Sequence, residues 1–315
     1  MKKGEHVLQR NYAVIGLALL CCLLWSSAFP GIKTGYVLFQ IAENDAASQI
    51  FFAGIRFTLA GVLVVAIYSI ASRRLIMPRK ASWGMIGIVA SLQTVLQYFF
   101  FYIGLAHTTG VKASIIESSS VFIAILFAAL LFHQETMTKE KTLGCVIGFA
   151  GVVLVNLSDT SQLGGGFAFN GEGFLLIACV AYALSSVFIK IFSQKESPVV
   201  ISGYQFILGG LVMTVAGLVM GGRMMPVNGQ AFLLLFYLAM VSAVAYSVWG
   251  LLLKYNPVSR ISIFTFSSPL FGVALSVIFL KEGTSVPWGQ SLAAMMLVSL
   301  GIYLVNKEKQ YHNNI

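Results

Sequence analysis

The sequence predicts an all-α polytopic membrane protein whose ten transmembrane helices form a 5+5 inverted repeat, with both termini cytoplasmic. Three observations carry that prediction. First, the 315 residues are 58% hydrophobic and only 10% charged, whereas soluble domains carry about 25% charged residues. Second, the apolar residues come in successive blocks, each near the ~20 residues that cross a bilayer core. Third, landmarks of the first half recur in the second half in the same order. The blocks are continuous rather than alternating, which argues against a β-barrel.

The first block, 12–32, follows Lys2, Lys3 and Arg10. Its start has the look of a signal peptide, with Ser26-Ser27-Ala28 as a small-residue cleavage site. Its place in the repeat makes it a permanent span instead. Further spans are predicted at 47–72, 83–106, 111–132, 141–158, 172–193, 199–221, 229–253, 260–280 and 288–306. The connections are short and carry breakers such as Met77-Pro78, Gly164-Gly165-Gly166, Gly221-Gly222 and Asn256-Pro257.

Lys and Arg in the loops set the orientation. With the N-terminus in the cytoplasm, that side receives Lys2, Lys3, Arg10, the cluster Arg73-Arg74-Arg79-Lys80, Lys139, Lys141, Lys190, Lys195, Lys254, Arg260, Lys307 and Lys309. The other side receives Lys33, Lys112, Arg223 and Lys281. The net charge of +9 is thus a topology signal, and nucleic acid is not an expected partner. Cys21, Cys22, Cys145 and Cys179 all lie in apolar blocks without a CxxC pair, so they read as small core residues, with no disulfide and no metal site.

The repeat is read from three matches. Gly151-Val-Val-Leu-Val-Asn156 ends the fifth span and Gly301-Ile-Tyr-Leu-Val-Asn306 the tenth. Upstream of each stands a Ser-rich helix followed by a glutamate: Ser118-Ser119-Ser120 with Glu135, and Ser267-Ser268 with Glu282. Trp25 and Lys33 in the first span match Tyr182 and Lys190 in the sixth. Residues 1–158 and 159–315 therefore read as two copies of one five-helix unit. Five is odd, so the second copy enters from the opposite side, and inverted repeats of this kind are common in secondary transporters.

This order of features resembles the EamA-type drug/metabolite transporters. The residues that carry it are Arg56-Phe57 in the second span, Gly104-Leu105-Ala106 before the fourth, the Ser-rich fourth span, the loop glutamate, and the twice-repeated Gly-x-x-Leu-Val-Asn ending. The family's proline in the fourth helix is present only in the second half, as Pro269; the first half has Ser120-Val121. The resemblance implies two EamA-like repeats around a central cavity, and transport of amino acids or other small metabolites, often outward.

Glu117 is the leading site candidate. It lies inside the fourth span, where a carboxylate costs ~2.5–3.5 kcal/mol on insertion scales and should face a cavity or a partner. It could exchange a proton, or pair with a substrate amine. Helical spacing puts Ala113, Glu117, Ser120 and Ala124 on one face. The competing reading is a permanent ion pair with Arg56 or Lys112. Arg56 could steer an anionic group, but arginine also suits fixed multi-bond bracing, and bracing is the favoured role. His107 could relay protons, although a lone histidine at a helix end is more often interfacial. Lys33 and Lys190 are expected to snorkel from helix ends.

The third span carries Gln93 and Gln97 one turn apart, then Tyr98, Phe101 and Tyr102; the eighth carries Ser242, Tyr246 and Trp249 on one face. With Trp25, Tyr182 and Phe264 they could wall an aromatic site, and Gln97, Tyr246 and Trp249 are the binding candidates chosen from them. Gly144, Gly148 and Gly151 read as a ridge for close helix packing. Glu135 and Glu282 read as helix caps.

No HExxH, P-loop or GxSxG motif is present, and no His/Cys/Asp cluster has metal spacing. No cofactor is expected. The reading is therefore a secondary active transporter in a bacterial cell membrane, moving a small organic metabolite, such as an amino acid or similar amphipathic solute, by alternating access, with export favoured. Expected partners are the solute and membrane lipid, and a proton is favoured over sodium because Glu117 is the one acid read deep in a span. A homo-oligomer is compatible with the sequence. The alternatives are a membrane-embedded enzyme acting on a lipid or isoprenoid, and a non-transporting membrane partner protein.

Overall fold

The computed structural model describes residues 10–133, 136–156, 167–255, 263–280 and 288–307. Among them there is no strand. The helices, in chain order, are α1 (Asn11–Leu38), α2 (Ala46–Ser72), α3 (Lys80–Ala106), α4 (Gly110–Leu131), α5 (Lys139–Asn156), α6 (Phe174–Phe192), α7 (Pro198–Val219), α8 (Gly229–Tyr255), α9 (Ser267–Leu280) and α10 (Trp288–Lys307). Seven helical segments are long and apolar enough to cross a membrane, and α9 and α10 are shorter apolar helices. Their outward faces are strongly apolar: Val37, Ile70, Val219 and Leu233 are all exposed. The chain is thus a polytopic membrane protein.

Local chemistry sets several helix ends. Asp45 Oδ1 accepts from Ser48 N at 3.0 Å and caps α2, and Thr109 accepts from Lys112 N at 3.1 Å and caps α4. Pro198 occupies the first turn of α7, where its missing N–H costs nothing. One predicted end is corrected. The first helix does not stop at 32 but passes through Pro30 to Leu38. Lys33-Thr34-Gly35 looks like a stop in the sequence, yet Tyr36 and Phe39 beyond it are buried, and the Tyr36 hydroxyl donates to Tyr102 O at 2.8 Å. Lys33 therefore lies inside α1 rather than at its end.

Two helix pairs pack at backbone distance. In α2 and α7, glycines replace the side chains that would hold the helices apart. A methyl group added at Gly61 would lie 2.6 Å from Gly203 O, and one at Gly217 would lie 2.6 Å from Phe51 N. In α5 and α10, a methyl group at Gly151 would meet Ala294 O at 2.7 Å, and one at Gly301 would meet Gly144 O at 2.6 Å. Small residues permit this approach, which is how helices associate where lipid offers no hydrophobic drive. Around these pairs, α1 packs on α8 and α9, α6 packs on α3 and α4, and α4 packs on α9.

Loop contacts sort the helix ends into two layers. Arg79, before α3, bonds Glu196, before α7. At the opposite ends of these helices, Met225 N and Val227 N donate to Phe39 O and Leu38 O, and Arg223 N donates to Ser48 Oγ. In that second layer, Thr108 after α3 reaches Glu172 at the entry to α6. Glu135 and Glu282, read as caps, lie outside the described residues, as does the Lys190 side chain.

Candidate functional site

Eight helices meet around a cavity of about 150 Å³. Trp25, Phe29 and Ile32 reach it from α1, Arg56 from α2, and Gln97, Tyr98 and Phe101 from α3. Ser114, Glu117, Ser118 and Val121 come from α4, Tyr182 from α6, and Ser242 and Tyr246 from α8. Thr265, Ser268 and Ile302 complete the wall. Four of the five sequence candidates, Glu117, Gln97, Tyr246 and Arg56, therefore stand on one wall. Trp249 does not. It lies 5.1 Å, ring to ring, behind Trp25 and packs with Val14, Ala18 and Leu252.

Glu117 sits where α4 breaks. The α-helix runs from Gly110 to Glu117, Ser118 forms a turn, and the helix resumes at Ser119. The serines explain the break. Ser114 Oγ donates to Val111 O at 2.9 Å, and Ser118 Oγ donates to Ser114 O at 3.0 Å. Such back-bonding competes with the helix ladder and bends it. The first half thus bends at Ser118 without a proline. Of the face predicted for this helix, Glu117 and Ser120 line the cavity, Ser114 lines it as well, and Ala113 is wholly buried in packing.

The carboxylate is unpaired by any cation among the described residues. Cys179 Sγ donates weakly to its Oε2 at 3.6 Å. The two suggested cations are engaged elsewhere. Lys112 Nζ lies 3.7 Å from Glu172 Oε1, in a pair almost wholly buried on both sides. Arg56 Nε donates to Leu238 O at 3.1 Å, one terminal nitrogen to the Tyr102 hydroxyl at 2.6 Å, and the other to Ser242 Oγ at 3.0 Å. The Arg56 guanidinium also lies 5.0 Å from the Phe57 ring centre. Arg56 braces α2, α3 and α8 together.

Glu172 is a second buried acid that the sequence reading missed. It accepts from Thr108 Oγ1 at 2.7 Å and from Ala168 N at 2.8 Å besides facing Lys112. It stands at the predicted edge of a span, where acids are common, and only the lysine opposite it reveals the burial. His107 stays at the helix end, with Nδ1 2.9 Å from Ile103 O, and does not line the cavity.

Gln93 and Gln97, on either side of the end of a π-helical stretch, Ala90–Leu96, meet different surroundings. Gln93 Oε1 accepts from Gln205 Nε2 on α7 at 3.1 Å, next to a Thr94–Gln205 bond. Gln97 points into the cavity, and its Oε1 is buried with no hydrogen-bond partner. Trp25 Nε1 is likewise buried and unpaired. The Tyr98 and Tyr246 hydroxyls are 3.0 Å apart, and Trp25 packs on Tyr246 edge to face at 5.4 Å.

A helical membrane protein with a polar, carboxylate-bearing chamber at the meeting point of its helices has the build of a membrane transporter. The chain belongs to the EamA-like transporter family, whose model matches residues 13–157 and again 169–307. It is 28% identical over 317 residues to "Uncharacterized transporter sll0355" of Synechocystis, covering 94% of this chain and 90% of that one. It is 27% identical to "Uncharacterized transporter YvbV" of Bacillus subtilis, covering 82% of this chain and 83% of the relative. A chloroplastic WAT1-related protein of Arabidopsis thaliana is 26% identical over 265 residues, and the chain spans 62% of its length. A crystal structure with a TM-score of 0.68 covers 96% of this chain and 99% of its own at 18% identity, a likeness of fold. The family is one of transporters, not enzymes.

Proposed function

We propose that the protein is a secondary transporter that moves a small organic metabolite across a bacterial cell membrane by alternating access. All ten helices cross, both termini are cytoplasmic, and residues 1–158 and 159–315 are the two inverted repeats. The carrying observation is the central cavity, with an unpaired carboxylate, Glu117, in its wall. Glu117, Gln97 and Tyr246 bind the solute, Glu117 also exchanges a proton, Arg56 holds the wall in shape, and Trp249 backs Trp25.

Packing supports the inverted repeat. A shift of five helices carries the α1–α8 and α1–α9 contacts onto α6–α3 and α6–α4, and leaves the α2–α7, α5–α10 and α4–α9 pairs in place. One interval relates Gly54 to Gly203, Gly61 to Gly210 and Ser119 to Ser268, and, within a residue, Tyr98 to Tyr246. The bonded tyrosine hydroxyls therefore straddle the axis such a repeat would have. Trp25 and Tyr182, matched in the repeat, both line the cavity. Two similar halves of one chain can exchange conformations, which is the basis of alternating access.

The test is efflux from proteoliposomes loaded with a mixture of small metabolites, read by mass spectrometry inside and out. The reading expects protein-dependent, saturable loss of at least one member, chemically unchanged. A protein that moves none, or that converts a lipid, would contradict it.

A further inference from the structure

Three of the cavity's serine hydroxyls have spent their protons. Ser26 Oγ donates to Ser268 O at 2.9 Å, Ser114 donates to Val111 O, and Ser118 donates to Ser114 O. A hydroxyl has one proton and two lone pairs. Having donated, these three present only acceptor lone pairs to a ligand. Gln97 Oε1 is a fourth acceptor, buried and unpaired, and Glu117 is a fifth, bearing the charge. Donors line it too: the Gln97 amide nitrogen, the Tyr182 hydroxyl and the Ser242 hydroxyl, which accepts from Arg56. Arg56 is itself committed to Leu238, Tyr102 and Ser242, and Trp25 Nε1 is a buried donor without a partner.

Size narrows the occupant further. A cavity of about 150 Å³ is the volume that holds benzene in an engineered protein core. The rest of the wall is aromatic, and ring faces attract organic cations.

Resting on the transport reading above, we infer that the solute is a small organic ammonium ion with an apolar or aromatic body. Its N–H donors meet Glu117, Gln97 and the spent serine hydroxyls, and its body packs among the rings. An ammonium group is all donor and no acceptor, which suits the cation-free Glu117 carboxylate and the unpaired Gln97 Oε1. A free amino acid would bring a second carboxylate beside Glu117.

Four probes sharing one ring separate the charge classes: benzylamine, benzyl alcohol, benzoate and phenylglycine. Thermal unfolding of the purified full-length protein is measured with each. Benzylamine at saturating concentration is expected to raise Tm by a few degrees, and the other three to leave it within error. Glu117→Gln should weaken the benzylamine response at least tenfold, and Gln97→Leu severalfold, with the Tm of the ligand-free variants unchanged or higher. Retained ligand-free Tm distinguishes lost binding from lost folding. A stronger response to benzoate or phenylglycine would overturn the cation assignment while leaving a solute site. An equal benzylamine response in Glu117→Gln, or no response to any probe, would also overturn it. Whether the protein transports is read separately from the efflux experiment, so the two failures are distinguishable.

Discussion

Lys112 Nζ faces Glu172 Oε1 at 3.7 Å, and with both side chains almost completely buried the pair removes from Glu117 a nearby cation that could have neutralised it. Glu172 is further held by Thr108 Oγ1 and Ala168 N, so the entry to α6 is tied to the α3–α4 turn. Removing one member of a buried pair strands the other charge, at a cost of about 3–5 kcal/mol. Lys112→Met and Glu172→Leu should each lower Tm strongly, and the double variant should recover much of the loss. A double-mutant cycle in Tm with no coupling would contradict this account.

Arg56 is predicted to act through structure. Arg56→Ala deprives Leu238 O, the Tyr102 hydroxyl and Ser242 Oγ of their donor, and an orphaned buried group costs about 1–3 kcal/mol. Arg56→Ala should therefore unfold at distinctly lower temperature, and Arg56→Lys, with a point charge in place of a planar fork, should fall between. Normal Tm in Arg56→Ala together with lost solute binding would assign Arg56 to the solute instead.

The α2–α7 contact is predicted to tolerate no side chain at its glycines. Overpacking a close contact costs typically about 1–3 kcal/mol. Gly61→Val should lower Tm, because the added atoms meet Gly203 O and Ile207 N. Gly16→Val, where nothing lies within 4 Å, serves as the control and should leave Tm near wild type.

Glu196 makes a pH-dependent brace between the α2–α3 and α6–α7 loops. Partial burial pushes its carboxyl up, but hydrogen bonds from Ser82, Ser197 and Arg79 outweigh that and hold it below the usual carboxylate range. A lowered folded value means the brace contributes at neutral and mildly acid pH, and is lost as pH falls through that low value. Arg79 is largely exposed, so the ion pair itself is worth under about 1 kcal/mol. Glu196→Gln should lower Tm slightly at pH 7 and not at all well below the carboxylate range. An equal deficit at both would refute this.

Much of the fold was legible because the apolar blocks are helices, and the predicted spans match them to within a few residues except where α1 runs on past Pro30 and where α9, predicted from 260, begins at Ser267 after a short 3-10 turn over Ile263–Phe266. The place of Glu117 on the cavity wall was legible for a related reason: an acid inside an apolar block must face a cavity or a partner. What the sequence hid depends on turns that regular periodicity does not register. The π-helical stretch before Gln97 and the serine-made break at Ser118 are two such turns. Gln93 is bonded to Gln205 while Gln97 lines the cavity, and Ala113 is packed away while Ser114 lines it. Trp249 was chosen by its spacing from Tyr246, but the larger ring is taken up by Trp25. Spent hydroxyls are invisible in a sequence, since a serine reads as donor and acceptor alike.

The central claim is that Glu117 carries a small organic solute through the cavity, and solute exchange in proteoliposomes tests it most directly. Counterflow of labelled benzylamine is measured with wild type and with Glu117→Gln reconstituted at equal density and orientation. The account predicts protein-dependent counterflow in wild type and a fall to the level of empty liposomes in the variant, with both proteins unfolding at similar temperature. Wild-type counterflow undiminished in Glu117→Gln would contradict it.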